Sequence, residues 1–214
     1  MPKITVYLGP SLPLAEAKTY LPDAEYLPPV RRGDVTAAAA RGTEVLVIID
    51  GVFFQDEAVA HKEVLAALKQ GITVYGSSSM GALRACELEP FGMIGVGEIF
   101  GWYQSGKIIA DDEVGLLYDP ETGVALSDPL VNMRASFAKA KEESVISADE
   151  EKQLLKSAKA IYYPDRTYRK VLKSAGLPAE TAAALQTWLK TNAVDQKQED
   201  ARACLARVRD EQCQ

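Results

Sequence analysis

Short hydrophobic runs alternate with longer amphipathic segments through the first half of the chain. Three of the runs predict strands, at residues 3–9, 44–50 and 72–75. The segments between and after them predict helices, over residues 12–20, 35–41, 55–70 and onward from residue 80. Strands that alternate with helices indicate an α/β fold, with a mostly parallel sheet and helices on both of its faces.

The second half of the chain has a different pattern. Residues 114–118 and 124–126 are predicted to pair as a hairpin around a turn at residues 119–123. From residue 129 onward the pattern predicts helices alone, one of them opened by a capping box from Ser147 to Glu150. We therefore predict an α/β core domain over residues 1–128 and a helical C-terminal region over residues 129–214, packed on that core.

Composition limits the classes of function. Hydrophobic content of 47% and charged content of 25% are ordinary for a globular protein. The net charge of −6 argues against a nucleic acid or an anionic membrane as partner. The first residues have no signal-peptide layout, and Cys86, Cys204 and Cys213 have neither zinc-site spacing nor a disulfide framework. We expect a cytoplasmic protein without a metal or cofactor, and self-association stays open.

The segment Gly-Ser-Ser-Ser-Met-Gly-Ala at residues 76–82 joins the third predicted strand to a helix. The first N–H groups of a helix have no intrahelical partner and favour negative charge, so this turn suits an anion or a nucleophile beside an oxyanion hole. Its sequence resembles the nucleophile turn of Clp-type serine proteases. On that resemblance Ser79 is the candidate nucleophile and the Met80 N–H the oxyanion donor. The alternative is that the serines only cap the helix.

The remaining residues of the turn are candidates for substrate binding, namely Gly76, Ser77, Ser78 and Gly81. Small residues are needed there because a substrate carbonyl must approach the backbone closely. A P-loop is excluded, because Ala82 and Leu83 stand where that motif needs lysine and a hydroxyl residue. Gly95 and Gly97 do not form a dinucleotide fingerprint, because no clear strand precedes them and no third glycine is in register.

His61 is the one histidine of the chain and a candidate general base for a serine. The predicted helix places it two turns from the helix start, on the face of Leu65 and Leu68. A core histidine with a satisfied hydrogen bond is the alternative. The base would then be a lysine, a carboxylate or water.

Three further charged residues are candidates for the same cleft. Asp50 ends the central strand, where it serves either in chemistry or in a turn. Arg84 either clamps a substrate carboxylate or forms a helix-surface ion pair with Glu87. Arg32 is predicted to point into the cleft. The acidic run at residues 111–113 suits a hard cation, a solvated turn or a partner contact.

Several segments together resemble the TfuA-like proteins. The matching segments span roughly residues 4–135 and lie at residues 9–10, 28–34, 50–53, 61–65, 76–88, 92–97, 111–114 and 127–134. Each is weak alone, and their number and order make the resemblance specific. Two small departures are Ser11, where the family usually has threonine, and Cys86, where it usually has alanine.

The resemblance implies a partner of YcaO enzymes, which use ATP to activate a peptide amide that then becomes a thioamide. It further implies that the chain recruits a thiocarboxylated ThiS-like sulfur carrier and hydrolyses the C-terminal thiocarboxylate, releasing sulfide to the YcaO enzyme. Such hydrolysis is acyl transfer, which Ser79 and Met80 suit, and a narrow channel lined by Gly76, Gly81, Gly95 and Gly97 would admit the carrier tail. The alternative function is a non-catalytic adaptor that docks both partners and activates the YcaO enzyme.

Overall fold

The structure, a computed structural model, describes residues 2–53, 57–119 and 122–212. These residues form five strands: β1 Ile4–Tyr7, β2 Glu25–Leu27, β3 Val45–Ile48, β4 Thr73–Ser77 and β5 Ile94–Val96. They also form ten α-helices: α1 Leu14–Tyr20, α2 Asp34–Ala40, α3 His61–Lys69, α4 Met80–Leu88, α5 Glu98–Gln104, α6 Leu130–Glu142, α7 Ala148–Ala160, α8 Tyr168–Ser174, α9 Ala179–Asn192 and α10 Gln196–Gln212.

The five strands form one sheet in the order β2-β1-β3-β4-β5, and every neighbouring pair is parallel. The predicted α/β fold is confirmed, with a sheet that is wholly rather than mostly parallel. The strand order reverses direction between β1 and β3. In sheets of this kind a ligand binds in the crevice beyond the carboxyl ends of the strands at such a reversal.

Alternating residues of the central strands separate two hydrophobic cores. Val45 and Val47 of β3 pack on one face of the sheet with residues of α1 and α10. Leu46 and Ile48 of the same strand pack on the other face with residues of α2, α3 and α4. The prediction of helices on both faces therefore holds, and it holds because these strands are buried on both sides.

Contacts divide the described residues into two compact units. The first contains the residues up to Ile109 together with those from Lys197 onward, and the second is Ala110–Gln196. The predicted boundary between residues 128 and 129 lies inside the second unit, and the predicted C-terminal region includes α10, which belongs to the first. Hydrophobic periodicity does not distinguish α10 from the helices before it, because each of them buries apolar residues.

The second unit contains α6 to α9 around its own core, which includes Phe137, Leu154 and Leu185. The capping box of α7 is confirmed, since Ser147 and Glu150 exchange hydrogen bonds between side chain and backbone. The predicted hairpin is reduced to one antiparallel bridge between Tyr118 and Ala125. Its turn includes residues 120 and 121, which lie outside the described residues.

The acidic run at residues 111–113 is held by arginines of the second unit. Glu113 is buried and accepts two hydrogen bonds of 2.7 Å from Arg134. The Asp112 carboxylate lies 2.7 Å from the guanidinium of Arg166, a residue that is fully buried. Two of the three carboxylates are therefore in ion pairs. The described residues contain no cluster of acidic, cysteine or histidine side chains arranged for a metal ion.

Two strands were not predicted, and one helix start was predicted wrongly. The missed strands are β2 and β5, and β5 contains Gly95, before which no clear strand was expected. Both strands have three residues, which is too short for a recognisable alternating pattern. The helix predicted from residue 55 begins at His61 among the described residues, and residues 54–56 lie outside them.

Every helix in the described part of the chain is too short or too polar to cross a membrane.

Candidate functional site

Polar side chains collect at the carboxyl edge of the sheet, where β1 and β3 end. Asp50 follows β3 and is 2% exposed. Its carboxylate accepts hydrogen bonds from the Gly9 N–H at 2.9 Å, the Ser11 N–H at 3.1 Å and the Ser11 hydroxyl at 2.6 Å. Asp50 thus fixes the loop after β1 at the reversal of strand order.

The N-terminal part of α10 brings two more charged residues to this edge. The buried Lys197 places its Nζ 3.9 Å from Oδ1 of Asp50, so a cation and an anion lie together out of solvent. The carboxylate of Asp200 accepts from the N–H groups of Glu98 and Ile99 at 3.1 and 2.8 Å and so caps the start of α5. Both residues are 2% exposed, and neither was predicted.

The three serines after β4 have three different environments. The hydroxyl of Ser77 donates to the carbonyl oxygens of Val96 and Asp200 at 2.8 and 3.0 Å, which makes it a structural link. Ser79 is the N-cap residue of α4, yet its side chain makes no capping hydrogen bond. Ser78 lies between them at a φ of 64°. Neither the Ser77 hydroxyl nor the Ser79 hydroxyl therefore caps the helix, so the capping alternative does not hold for these two serines.

The first backbone N–H groups of α4 have different partners. The Gly81 N–H donates to the Ile49 carbonyl at 3.2 Å, and the Ala82 N–H donates to the Ser79 carbonyl at 3.0 Å. The Met80 N–H lies at the first helical position, and among the described residues it meets no backbone carbonyl. This is the N–H that was predicted to stabilise an oxyanion.

The four glycines predicted to line a channel make close contacts within the protein. A Cβ on Gly81 would meet the Ile48 carbonyl, and a Cβ on Gly76 would meet the Gly81 carbonyl, so these two glycines let α4 lie against the strands. The space beside Gly95 is filled by the ring of Phe100, and the space beside Gly97 by the carboxylate of Asp200.

His61 and Arg84 meet at Glu87 rather than at the serine turn. His61 begins α3 and is exposed, so its predicted position two turns inside the helix, on an apolar face, is wrong. Its Nε2 lies 2.8 Å from Oε2 of Glu87, and the Arg84 guanidinium lies 2.6 Å from the same oxygen. Arg84 also donates to the Val59 carbonyl at 3.2 Å. Of its two predicted roles, the structure forms the ion pair with Glu87.

Arg32 is exposed in the turn before α2. Its backbone N–H donates to the Glu57 carbonyl at 2.7 Å. The predicted placement of its side chain in the cleft stays a prediction.

The two described cysteines are poor nucleophiles. Burial raises the pKa of the Cys204 thiol to about 12, and burial together with the nearby Glu87 and Glu89 raises the pKa of Cys86. The thiolate is the reactive form of cysteine, so both shifts disfavour chemistry at these sulfurs near neutral pH. Cys213 lies outside the described residues.

The molecule is thus a doubly wound α/β protein whose polar site lies at the carboxyl edge of the sheet, beside a strained serine turn. The chain matches the family of TfuA-like proteins over residues 50–167, which is more than half of its length. It belongs to the TfuA-like family, as its sequence segments indicated, and this membership associates it with YcaO-dependent peptide thioamidation. No curated protein matches the chain.

Proposed function

We propose that the chain hydrolyses the C-terminal thiocarboxylate of a ThiS-like sulfur carrier and so delivers sulfide to a YcaO enzyme. The observation that carries this proposal is the start of α4. There the Ser79 hydroxyl makes no capping hydrogen bond, and the adjacent Met80 N–H has no backbone partner among the described residues. A hydroxyl beside an N–H at a helix start is the pair of groups that acyl transfer needs.

The reaction follows from these two groups. Ser79 Oγ attacks the thiocarboxylate carbon, and the carbonyl oxygen becomes an oxyanion that the Met80 N–H stabilises. The carbon–sulfur bond then breaks, and the sulfur leaves as hydrosulfide with the proton that the serine gave up. Water cleaves the acyl-serine ester, which restores the hydroxyl and frees the carrier with an ordinary carboxylate and a proton. The net reaction consumes one water for each sulfide released.

The Ser79→Ala variant tests the nucleophile. We expect it to fold normally and to release sulfide from the thiocarboxylated carrier at the uncatalysed rate, because the attacking oxygen is gone. Sulfide release by the purified protein is the measurement, with Ser105→Ala, the same change at an exposed helix end, as the matched control. Full activity in Ser79→Ala would refute the assignment of Ser79.

The Cys86→Ala variant separates serine chemistry from thiol chemistry. Because burial raises the pKa of this thiol, we expect sulfide release to stay within about twofold of the wild-type rate. Alkylation of the wild-type protein with iodoacetamide gives the parallel measurement, and Cys86 should react slowly at pH 7. A loss of activity with Cys86→Ala would assign the sulfur transfer to a cysteine instead.

A second function, the non-catalytic adaptor, is favoured by the position of His61. Its ring is bound to Glu87 and about half exposed, whereas Ser79 is 2% exposed, so the histidine is engaged away from the turn. The two functions differ in a thioamidation assay that contains the YcaO enzyme and excess free sulfide. If the chain is a sulfide source, free sulfide replaces it. If it is an adaptor, thioamidation still requires it.

A further inference from the structure

Ser78 has a backbone conformation that a residue with a side chain rarely adopts. Its φ of 64° lies in the left-handed region, and the Ser79 N–H donates to the Ser77 carbonyl across it at 2.7 Å. A bond from residue i+2 to residue i across a positive φ is a γ-turn of the rare, strained kind. Glycine would adopt this conformation without strain, so the serine at this position has a cost.

The side chain of Ser78 is a second destabilising feature, because its hydroxyl is buried without a hydrogen-bond partner among the described residues. The residue is fully buried, and within the described part of the chain its Oγ has no hydrogen-bond partner. Two neighbouring buried hydroxyls at this edge have partners, since Ser77 donates to two carbonyls and Ser11 donates to Asp50. A buried hydroxyl without a partner destabilises the fold, and glycine or alanine would remove that cost.

The position of Ser78 relates these costs to the candidate site. Ile48 of β3 pairs with Gly76 of β4, so Asp50 and Ser78 each follow that pair by two residues at the carboxyl edge. Ser78 also directly precedes the N-cap of α4, a helix of nine residues. Backbone strain and unpartnered polar groups concentrate at functional sites, where a ligand supplies the missing interaction.

We propose that the Ser78 hydroxyl is a second oxyanion donor, which hydrogen-bonds the carbonyl oxygen of the bound thiocarboxylate beside the Met80 N–H. This proposal rests on the proposed function, because it assigns a group to the same acyl transfer. A rotating hydroxyl can follow the oxygen as it becomes negative. Out of solvent such a bond is stronger than in water. The carrier tail must move the groups that cover the turn.

Three substitutions at Ser78 test the proposal together. We expect kcat for sulfide release to fall by about 100- to 1,000-fold in Ser78→Ala and Ser78→Gly, with KM nearly unchanged, because one oxyanion donor is lost. We also expect the denaturation midpoint of Ser78→Ala to equal or exceed that of wild type, and Ser78→Gly to be more stable still. Ser78→Cys keeps a weak donor and should have intermediate activity.

Ser144 offers a matched control. It also has a positive φ, of 61°, but it is exposed and lies in the second unit. Ser144→Gly should raise the denaturation midpoint through the same relief of backbone strain and leave sulfide release unchanged.

The outcomes separate this inference from the proposed function. If wild type releases sulfide and the folded Ser78→Ala variant does so equally fast, Ser78 is no oxyanion donor, although the hydrolase stands. A rise in KM alone, or a clearly lower denaturation midpoint in Ser78→Gly, would also overturn the inference, since either result assigns the hydroxyl another role. If the wild-type protein itself releases no sulfide, the proposed function fails and the role of Ser78 fails with it.

Discussion

The Asp50→Ala variant is expected to lower the free energy of unfolding by about 3–5 kcal/mol. The carboxylate accepts three hydrogen bonds from Gly9 and Ser11, and it lies 3.9 Å from the ammonium of Lys197. All of these groups except Gly9 are at least nine-tenths buried. Alanine would therefore leave three donors and a buried cation without their acceptor, and water cannot readily replace it.

Chemical denaturation followed by tryptophan fluorescence measures this loss of stability, provided that the fluorescence comes from the compact unit that contains Asp50. Trp102 belongs to the first unit and Trp188 to the second, so a Trp188→Phe background reports on the unit that contains Asp50. Asp23→Ala, the same change at an exposed carboxylate, is expected to have an effect within about 0.5 kcal/mol.

The double variant Asp50→Ala/Lys197→Met tests whether the two charges interact. It should be less destabilised than the sum of the two single effects, because the unpaired charge is gone. Additive effects would show that the two charges do not interact.

The Arg166→Ala variant is expected to destabilise the second unit by about 3–5 kcal/mol. The fully buried guanidinium donates to the carbonyl oxygens of Ala158, Asp112 and Ile161 at 3.0, 3.0 and 3.2 Å, and to the Asp112 carboxylate at 2.7 Å. Removing it leaves the carbonyls of Asp112 and Ile161 without a donor among the described residues, whereas that of Ala158 keeps the Ile161 N–H. It also opens a cavity where a long side chain lay.

Fluorescence of Trp188 in a Trp102→Phe background follows this second unit. Arg166→Met restores most of the volume without the donors, so the difference between the methionine and alanine variants measures the packing part of the loss. Arg169→Ala, at an exposed arginine nearby, is the control. A change of less than about 1 kcal/mol in Arg166→Ala would show that water satisfies these carbonyls after all.

The sequence predicted the elements whose signal is local. The run of five apolar residues around β3 indicated a strand buried on both sides, and Ser147 with Glu150 marked the start of α7. β2 and β5 were missed because three residues show no alternation, and β5 contains a glycine. Their place in the sheet depends on pairing with β1 and β4, which is a tertiary effect.

The candidate site was predicted only where strand ends mark it. Asp50 and the serine turn follow apolar runs and could be placed at the carboxyl edge in advance. Lys197 and Asp200 could not, because they lie more than 100 residues beyond the serine turn in a polar helix without a motif. The one weak signal was that α10 carries a few apolar residues, among them Cys204 and Leu205, at helical spacing.

The sequence singled out Ser79 by resemblance, but it could not predict the separate environments of the three serines. Ser77, Ser78 and Ser79 are identical in type and adjacent, and their roles follow from the pairing of β4 with β5 and from the point where α4 begins. Register places the Ser77 hydroxyl against Val96 and leaves the next residue with a positive φ. Such differences of backbone angle have no signature in a single sequence when glycine is not used.

The return of α10 to the first unit has a consequence for synthesis and folding. The sheet strands are complete by residue 96, yet the helix that covers one face of the sheet and supplies Lys197 follows the whole second unit. On the ribosome, where chains emerge from the N-terminus, the sheet therefore waits several seconds with that face covered only in part, by α1, at elongation rates of about 5–20 residues per second. Closing so long a loop slows folding, and a partly uncovered apolar face promotes aggregation, so the nascent chain is a natural client for chaperones.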